Sequence, residues 1–151
     1  MTPLETRLDL VKTLIVPHFL YCDGVFFPLD SVCSGKLNLL FKSCIRYIYK
    51  LRKYDHVSIY KNSILGISLM EYYKYRSTLF LYKLINGGQP RYLYDIIQFA
   101  ASIRILNLIV PKYSRSQLNL FTYGVTLWNS LPISAKRAIT VAGFRGSSGY
   151  F

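Results

Sequence analysis

Carboxylates are scarce in this chain: seven Asp and Glu stand against nineteen Lys and Arg in 151 residues, and none follows Asp95. Phosphoryl transfer by a polymerase needs clustered carboxylates that hold two metal ions roughly 3.5 to 4 Å apart. Seven dispersed acids give no such cluster, so no catalytic residue, metal ligand or cofactor is expected. Cysteine is equally sparse. Cys22, Cys33 and Cys44 are odd in number and lack close pairs, which excludes a disulfide framework or a zinc ribbon and predicts reduced, largely buried thiols in an intracellular protein. His18 and Cys22 share a helical spacing and His56 would complete a metal set only across a long gap, so the expectation is none. There is no glycine-rich phosphate loop, no Gly-x-Ser-x-Gly elbow and no His-Glu-x-x-His, which removes the common hydrolase and nucleotidase signatures. Long apolar runs are missing as well. The most apolar window, residues 14–29, is broken by Pro17, His18, Asp23 and Pro28, too short and too interrupted for a membrane span, and the N-terminus has no signal-peptide layout.

What remains is a hydrophobic and basic chain. With 52% hydrophobic and 17% charged residues, it has the composition of a folded domain rather than a disordered tail, and its length fits one domain. The charge is lopsided. Residues 1–30 hold four carboxylates against Arg7 and Lys12, whereas residues 31–151 hold seventeen cations against Asp55, Glu71 and Asp95. Such a body, with 14 Tyr, suits a polyanion: cations neutralise phosphates and release counterions, and aromatic faces stack on unpaired bases. Charge alone also fits a membrane surface or an acidic protein.

Helical periodicity dominates the pattern. Leu8, Val11, Leu14 and Ile15 recur at helical spacing over residues 6–21, with Pro17 placed to kink or end the helix. Residues 36–51 form the clearest helix: Leu37, Leu40, Phe41, Cys44, Ile45, Ile48 and Leu51 make one apolar stripe, with Lys42, Arg46, Lys50 and Lys53 opposite. A short helix is expected from Ser58. Ser68-Leu69-Met70-Glu71 has the form of a capping box, opening a helix with Met70, Tyr73, Phe80 and Leu84 on its apolar face that Asn86-Gly87-Gly88 ends. Tyr92, Leu93, Ile96 and Ile97 read as a further short helix, residues 103–110 as extended because they are β-branched, and Phe121, Val125 and Trp128 as helical again. The expected architecture is a mostly α, compact multi-helix domain over residues 1–145 with short irregular or extended connections, and a divergent or truncated tail at 146–151. Leu40, Cys44, Ile48, Phe80, Leu84 and Trp128 are its expected core.

The stripe of Lys42, Arg46, Lys50 and Lys53, flanked by Tyr49, Arg52 and Tyr54, is the leading functional candidate. A merely solvated face mixes both signs of charge, and this one carries no interleaved carboxylate. With no Asn or Gln pair beside it to read base edges, contact with phosphates is expected. Lys74 and Arg76, and Arg104, Lys112 and Arg115, make weaker cases, while tyrosines such as Tyr73 fall on apolar faces and read as core.

The single tryptophan lies in Leu127-Trp128-Asn129-Ser130-Leu131-Pro132, an aromatic anchor followed by turn residues. With Pro17-His18-x-x-Tyr21-Cys22-Asp23, Cys44-Ile45-Arg46, Pro90-x-Tyr92-Leu93 and Val110-Pro111 in the same order, the chain resembles, over about residues 5 to 145, the region downstream of the polymerase core in reverse transcriptases of jockey-like non-LTR retrotransposons. Trp128, Asn129 and Pro132 are its structural motif. The resemblance implies a parent that copies element RNA into DNA with Mg at a nicked target, and a fragment lying at or beyond the thumb without the aromatic-x-Asp-Asp hairpin. Gly24 follows Asp23 where a second aspartate would stand. Asp23 therefore reads as a lone, partly solvated capping carboxylate. Phe144 and Arg145 match the family's entry into a last helix, and Gly146-Ser147-Ser148-Gly149 departs from it. The implied partners are the backbone of RNA or DNA and the polymerase core, with no membrane. A scaffolding module that buttresses that core, and an inactive relic of the element, are the alternative readings.

Overall fold

The computed structural model describes residues 2–101, 106–110 and 119–150. The protein is mostly α-helical, as the periodicity predicts, and among the described residues its extended pairing is a single antiparallel bridge between Phe99 and Leu108. Two compact units form: Met1–Asp23 with Leu29–Tyr72, and Gly24–Pro28 with Tyr73–Phe151.

In the first unit, α1 (Leu4–Leu10) runs through a π-helical segment (Val11–Ile15) into α2 (Val16–Leu20). Pro17 stands in the first turn of α2. It offers no N–H and crowds the carbonyl four residues earlier, and the ladder relaxes just there into wider i→i+5 bonding. That extra residue per turn shifts the register: Val11 and Val16 are buried, but Leu14 and Ile15, expected beside them, are exposed. Pro17 thus neither ends nor breaks the helix. α1 packs on α4 (Ser31–Tyr49). Buried Arg7 donates from Nη1 to the Tyr47 carbonyl at 3.0 Å, placing a cation at the negative end of the α4 dipole.

Helix α4 begins at Ser31, five residues before the expected start at residue 36, because Asp30 caps it. The Asp30 Oδ1 accepts from the Cys33 N–H at 2.8 Å, and the hydrogen bonds from Cys33 hold its carboxyl below the usual carboxylate range. Phe41, Ile45 and Ile48 form the buried stripe, with Phe19 edge-on to Phe41 at 5.6 Å. Cys44 is half-buried, and Leu40 is 57% exposed, which corrects its assignment to the core. Successive residues turn by 100°, so Leu40 sits on the flank of a stripe centred on Phe41 and Ile45. The thiols also depart from expectation: Cys22 and Cys33 are exposed. Cys22 lies in a turn at φ 53°, and Cys33 in the first turn of α4, where bonding to Asp30 pushes its thiol up. Asp23, expected to be partly solvated, is buried at the start of α3 (Asp23–Phe26).

The second unit contains most of α5 (Leu69–Gly87), together with α6 (Arg91–Tyr94), α7 (Asn119–Ser130), α8 (Ile133–Lys136) and α9 (Val141–Ser147). The start of α5, in the first unit, is the capping box read from the sequence: the Ser68 N–H and hydroxyl donate to Glu71 Oε2 at 3.1 and 2.5 Å. Its end is Gly87, with Gly88 at φ 61°, a left-handed stop that glycine adopts without Cβ strain. The core of this unit is aromatic. Trp128, Tyr73, Phe121 and Phe144 are each nearly inaccessible. Phe144 stacks on Tyr82 at 4.6 Å and lies near-parallel to Trp128 at 6.5 Å. Leu84 is buried, whereas Phe80 is half-buried. Gly124 lets α7 approach α5, since a Cβ there would meet Leu81 Cδ1 at 3.2 Å. At the C-terminal end, Thr140 caps α9 by accepting from the Gly143 N–H at 3.1 Å, and α9 persists through Gly146 to Ser147 despite its low helix propensity.

Candidate nucleic-acid interface

Asn38, Lys42 and Arg46 stand at successive turns of α4. Beyond Tyr49 the helix stops because Lys50 turns left-handed at φ 53°, ψ 37°, and the Leu51 N–H reaches back to the Arg46 carbonyl at 3.0 Å. This is a Schellman-type close in which a lysine occupies the position that usually carries glycine. The chain then folds back. Asp55 Oδ2 accepts from the Arg52 N–H at 2.6 Å while the Asp55 N–H donates to the Arg52 carbonyl at 3.1 Å. That tight turn brings residues 54–58 against α4, and a 3₁₀ turn at Ser58–Tyr60 sets Lys61 beside them.

The result is a pocket of about 410 Å³ within the first unit. Phe41, Ile45, Val57 and Leu69, all buried, give it an apolar side; Lys42, Arg46 and Lys61, with His56 and Ser58, give it a basic and polar one. Asp55 is the carboxylate on its lining. Arg46 is half-buried, and its Nε is shielded from solvent with no hydrogen-bond partner among the described residues. Tyr54 lines the pocket yet is 87% exposed, and the Lys53 Nζ lies 5.7 Å from its ring centroid.

Of the four cations predicted as a stripe, Lys42 and Arg46 converge on this pocket. Lys50 and Lys53 are exposed on the turn that follows and do not line it. The continuous helical stripe is therefore corrected to two helical cations and two on a turn. Tyr49 is not available to a base in the way Tyr54 is, because it stacks on Tyr60 at 4.0 Å. Lys61 lies beyond α4, so no periodicity links it to Lys42, whereas Asn38 shares the helical spacing of Lys42 and Arg46 but carries no charge; in the sequence His56 stands only as a remote metal ligand. Among the described residues no three His, Cys, Asp or Glu side chains gather, and no helix is long and apolar enough to cross a membrane. Lys74 and Arg76 are half-buried on α5, while Arg104, Lys112 and Arg115 lie outside the described residues.

The tryptophan motif has a geometric role in the second unit. Trp128 Nε1 donates to the Leu106 carbonyl at 2.9 Å, and the Asn129 amide pairs with both backbone groups of Leu108 at 2.9 Å each. Asn129 thus acts as a strand would, holding the segment that bridges to Phe99. Pro132 then starts α8, whose Lys136 is buried; its Nζ donates to Asn107 Oδ1 at 2.8 Å and to the Asn129 carbonyl at 3.0 Å. Burial holds the Lys136 amine below its ordinary range. Comparison with protein-family models, curated proteins and solved structures found no match.

Proposed function

We propose that this chain is a non-catalytic module that contacts the phosphate backbone of RNA or DNA, of the kind that follows the polymerase core in a non-LTR retrotransposon reverse transcriptase. The observation that carries the reading is the convergence of Lys42, Arg46 and Lys61 on one pocket, with Lys50, Arg52 and Lys53 on the adjoining turn and Asp55 as the carboxylate among them. Clustered cations of this kind bind by releasing counterions. The assignment to a reverse transcriptase rests on the Leu-Trp-Asn-Ser-Leu-Pro motif and its companions; RNA-directed DNA synthesis and its Mg belong to the parent core.

Binding of the purified chain to single-stranded RNA and to duplex DNA, followed across salt concentration, tests the proposal. Replacing Lys42, Arg46, Lys50 and Lys53 together by Ala is expected to flatten the slope of log affinity against log salt by roughly 3 to 4 units. An unchanged affinity and slope overturns it. One observation favours the scaffolding reading: Val32, Leu39, Leu40 and Tyr47 are exposed and fall on one side of α4, a face suited to the apolar flank of a polymerase core. In that case the quadruple variant leaves every nucleic-acid measurement unmoved, while Leu39→Asp abolishes association with the core.

A further inference from the structure

We propose that the pocket beside α4 seats one unpaired nucleotide of a strand, its phosphate among Lys42, Arg46 and Lys61 and its base against the apolar wall or the Tyr54 ring. This rests on the nucleic-acid reading and narrows it from tracking a backbone to capturing a single strand. A helix face that only follows phosphates needs no concavity. The volume of about 410 Å³ falls instead in the range of about 300 to 1,000 Å³ typical of sites that enclose small ligands. Its lining is divided as a nucleotide is divided, with cations on one side and buried Phe41, Ile45, Val57 and Leu69 on the other.

One further detail fits that occupant. Tyr54 leaves a large ring in solvent at the edge of the same pocket, beneath the Lys53 ammonium, the arrangement of a stacking platform in proteins that hold unpaired bases. Asp55 opposes an anion, and one of its oxygens is already engaged by the Arg52 N–H. A duplex keeps its bases stacked and paired, so it offers phosphates to the cations and nothing to the apolar wall. Single strands are therefore preferred.

The test uses the full chain and a labelled single-stranded oligonucleotide of mixed sequence, displaced by 5′-AMP, inorganic phosphate, adenosine or a duplex of the same sequence. The expected result is that 5′-AMP displaces the strand at concentrations at least tenfold below those needed for phosphate or adenosine. Lys61→Ala weakens single-strand binding more than Lys53→Ala, and Tyr54→Ala reduces the preference for single strand over duplex by roughly tenfold. The inference is overturned if 5′-AMP competes no better than inorganic phosphate, an outcome that needs no variant and so no assumption about folding. It is also overturned if Lys61→Ala and Lys53→Ala are indistinguishable. If those arms fail while the quadruple variant still flattens the salt slope, the pocket is no nucleotide site and the backbone reading stands; a chain that binds no nucleic acid removes both.

Discussion

The two units put their apolar side chains to different uses. In the second, Trp128, Phe121, Phe144, Tyr73 and Tyr82 are withdrawn into the interior, and the polar tips of Trp128 and Tyr82 donate to the carbonyls of Leu106 and Ala138. The first unit buries a smaller, mainly aliphatic set that includes Val11, Ile45, Ile48 and Leu69 with Phe41, and leaves Leu14, Val32, Leu39, Leu40 and Tyr54 in solvent, as the second leaves Tyr92 and Ile139. Large aromatics buried with their polar atoms satisfied give a well-determined interior. Cations and an exposed Tyr54 around a pocket are the chemistry of recognition. The contrast is between an aromatic interior in one unit and, in the other, the basic pocket to which binding is proposed, and each side can be broken separately.

The largest effect is expected from Trp128→Ala. Removing this buried ring, and with it the donor to Leu106, should lower the stability of the second unit by about 3 to 5 kcal/mol in denaturant unfolding; a loss below about 1 kcal/mol would erase the contrast. Asn129→Ala comes next. It leaves the N–H and carbonyl of Leu108 without their side-chain partner, at a cost of roughly 1 to 3 kcal/mol, and nucleic-acid affinity of the folded protein should not change. Hydrogen exchange at the Leu108 amide reads the same event locally.

Lys50→Gly sharpens the comparison from the other side. Left-handed backbone costs an ordinary residue about 1 to 2 kcal/mol, and the extra freedom of glycine in the unfolded chain returns part of that. The expected net gain is about 0.5 to 1 kcal/mol in stability, together with a salt slope flatter by roughly 0.7 to 0.9 unit if Lys50 meets a phosphate. A variant that gains stability while losing binding would locate recognition at a site held against local preference. The smallest effect concerns Asp30. Its folded-state pKa lies below the ordinary 3.8 because of its bonds from Cys33, so its contribution is present above that value and is lost as the pH falls through the folded pKa. Asp30→Asn, which keeps an acceptor at the cap, should remove this part of the acid sensitivity; an identical acid limb of the stability profile would show that the cap carries none of it.

Much of the fold was legible because its signals are local. The Ser68 and Glu71 capping box, the Gly88 stop and the Phe121, Val125 and Trp128 spacing all depend on groups within one or two turns of each other. Periodicity misleads where the helix itself changes. The spacing of the cations runs past Lys50, whose left-handed backbone ends α4, and the register of Leu14 and Ile15 is shifted by a π segment near Pro17. Leu40 lies on the flank of its stripe, where spacing alone does not decide what covers it, and for Cys22 and Cys33 residue type says what is favourable to bury and not what lies nearby to cover it.

From the sequence alone came the helical character, the excess of positive charge beyond residue 30, the dispersal of the carboxylates and the aromatic anchor at Trp128, because composition and 100° periodicity are properties of neighbouring residues. Tertiary structure alone decided that Lys61 joins Lys42 and Arg46 around one pocket, that Asn129 grips Leu108 across twenty-one residues, and that Lys136 is buried on Asn107. Those pairings require distant segments to close on each other, and which segments meet is settled by how the helices pack, a selection that local spacing does not encode.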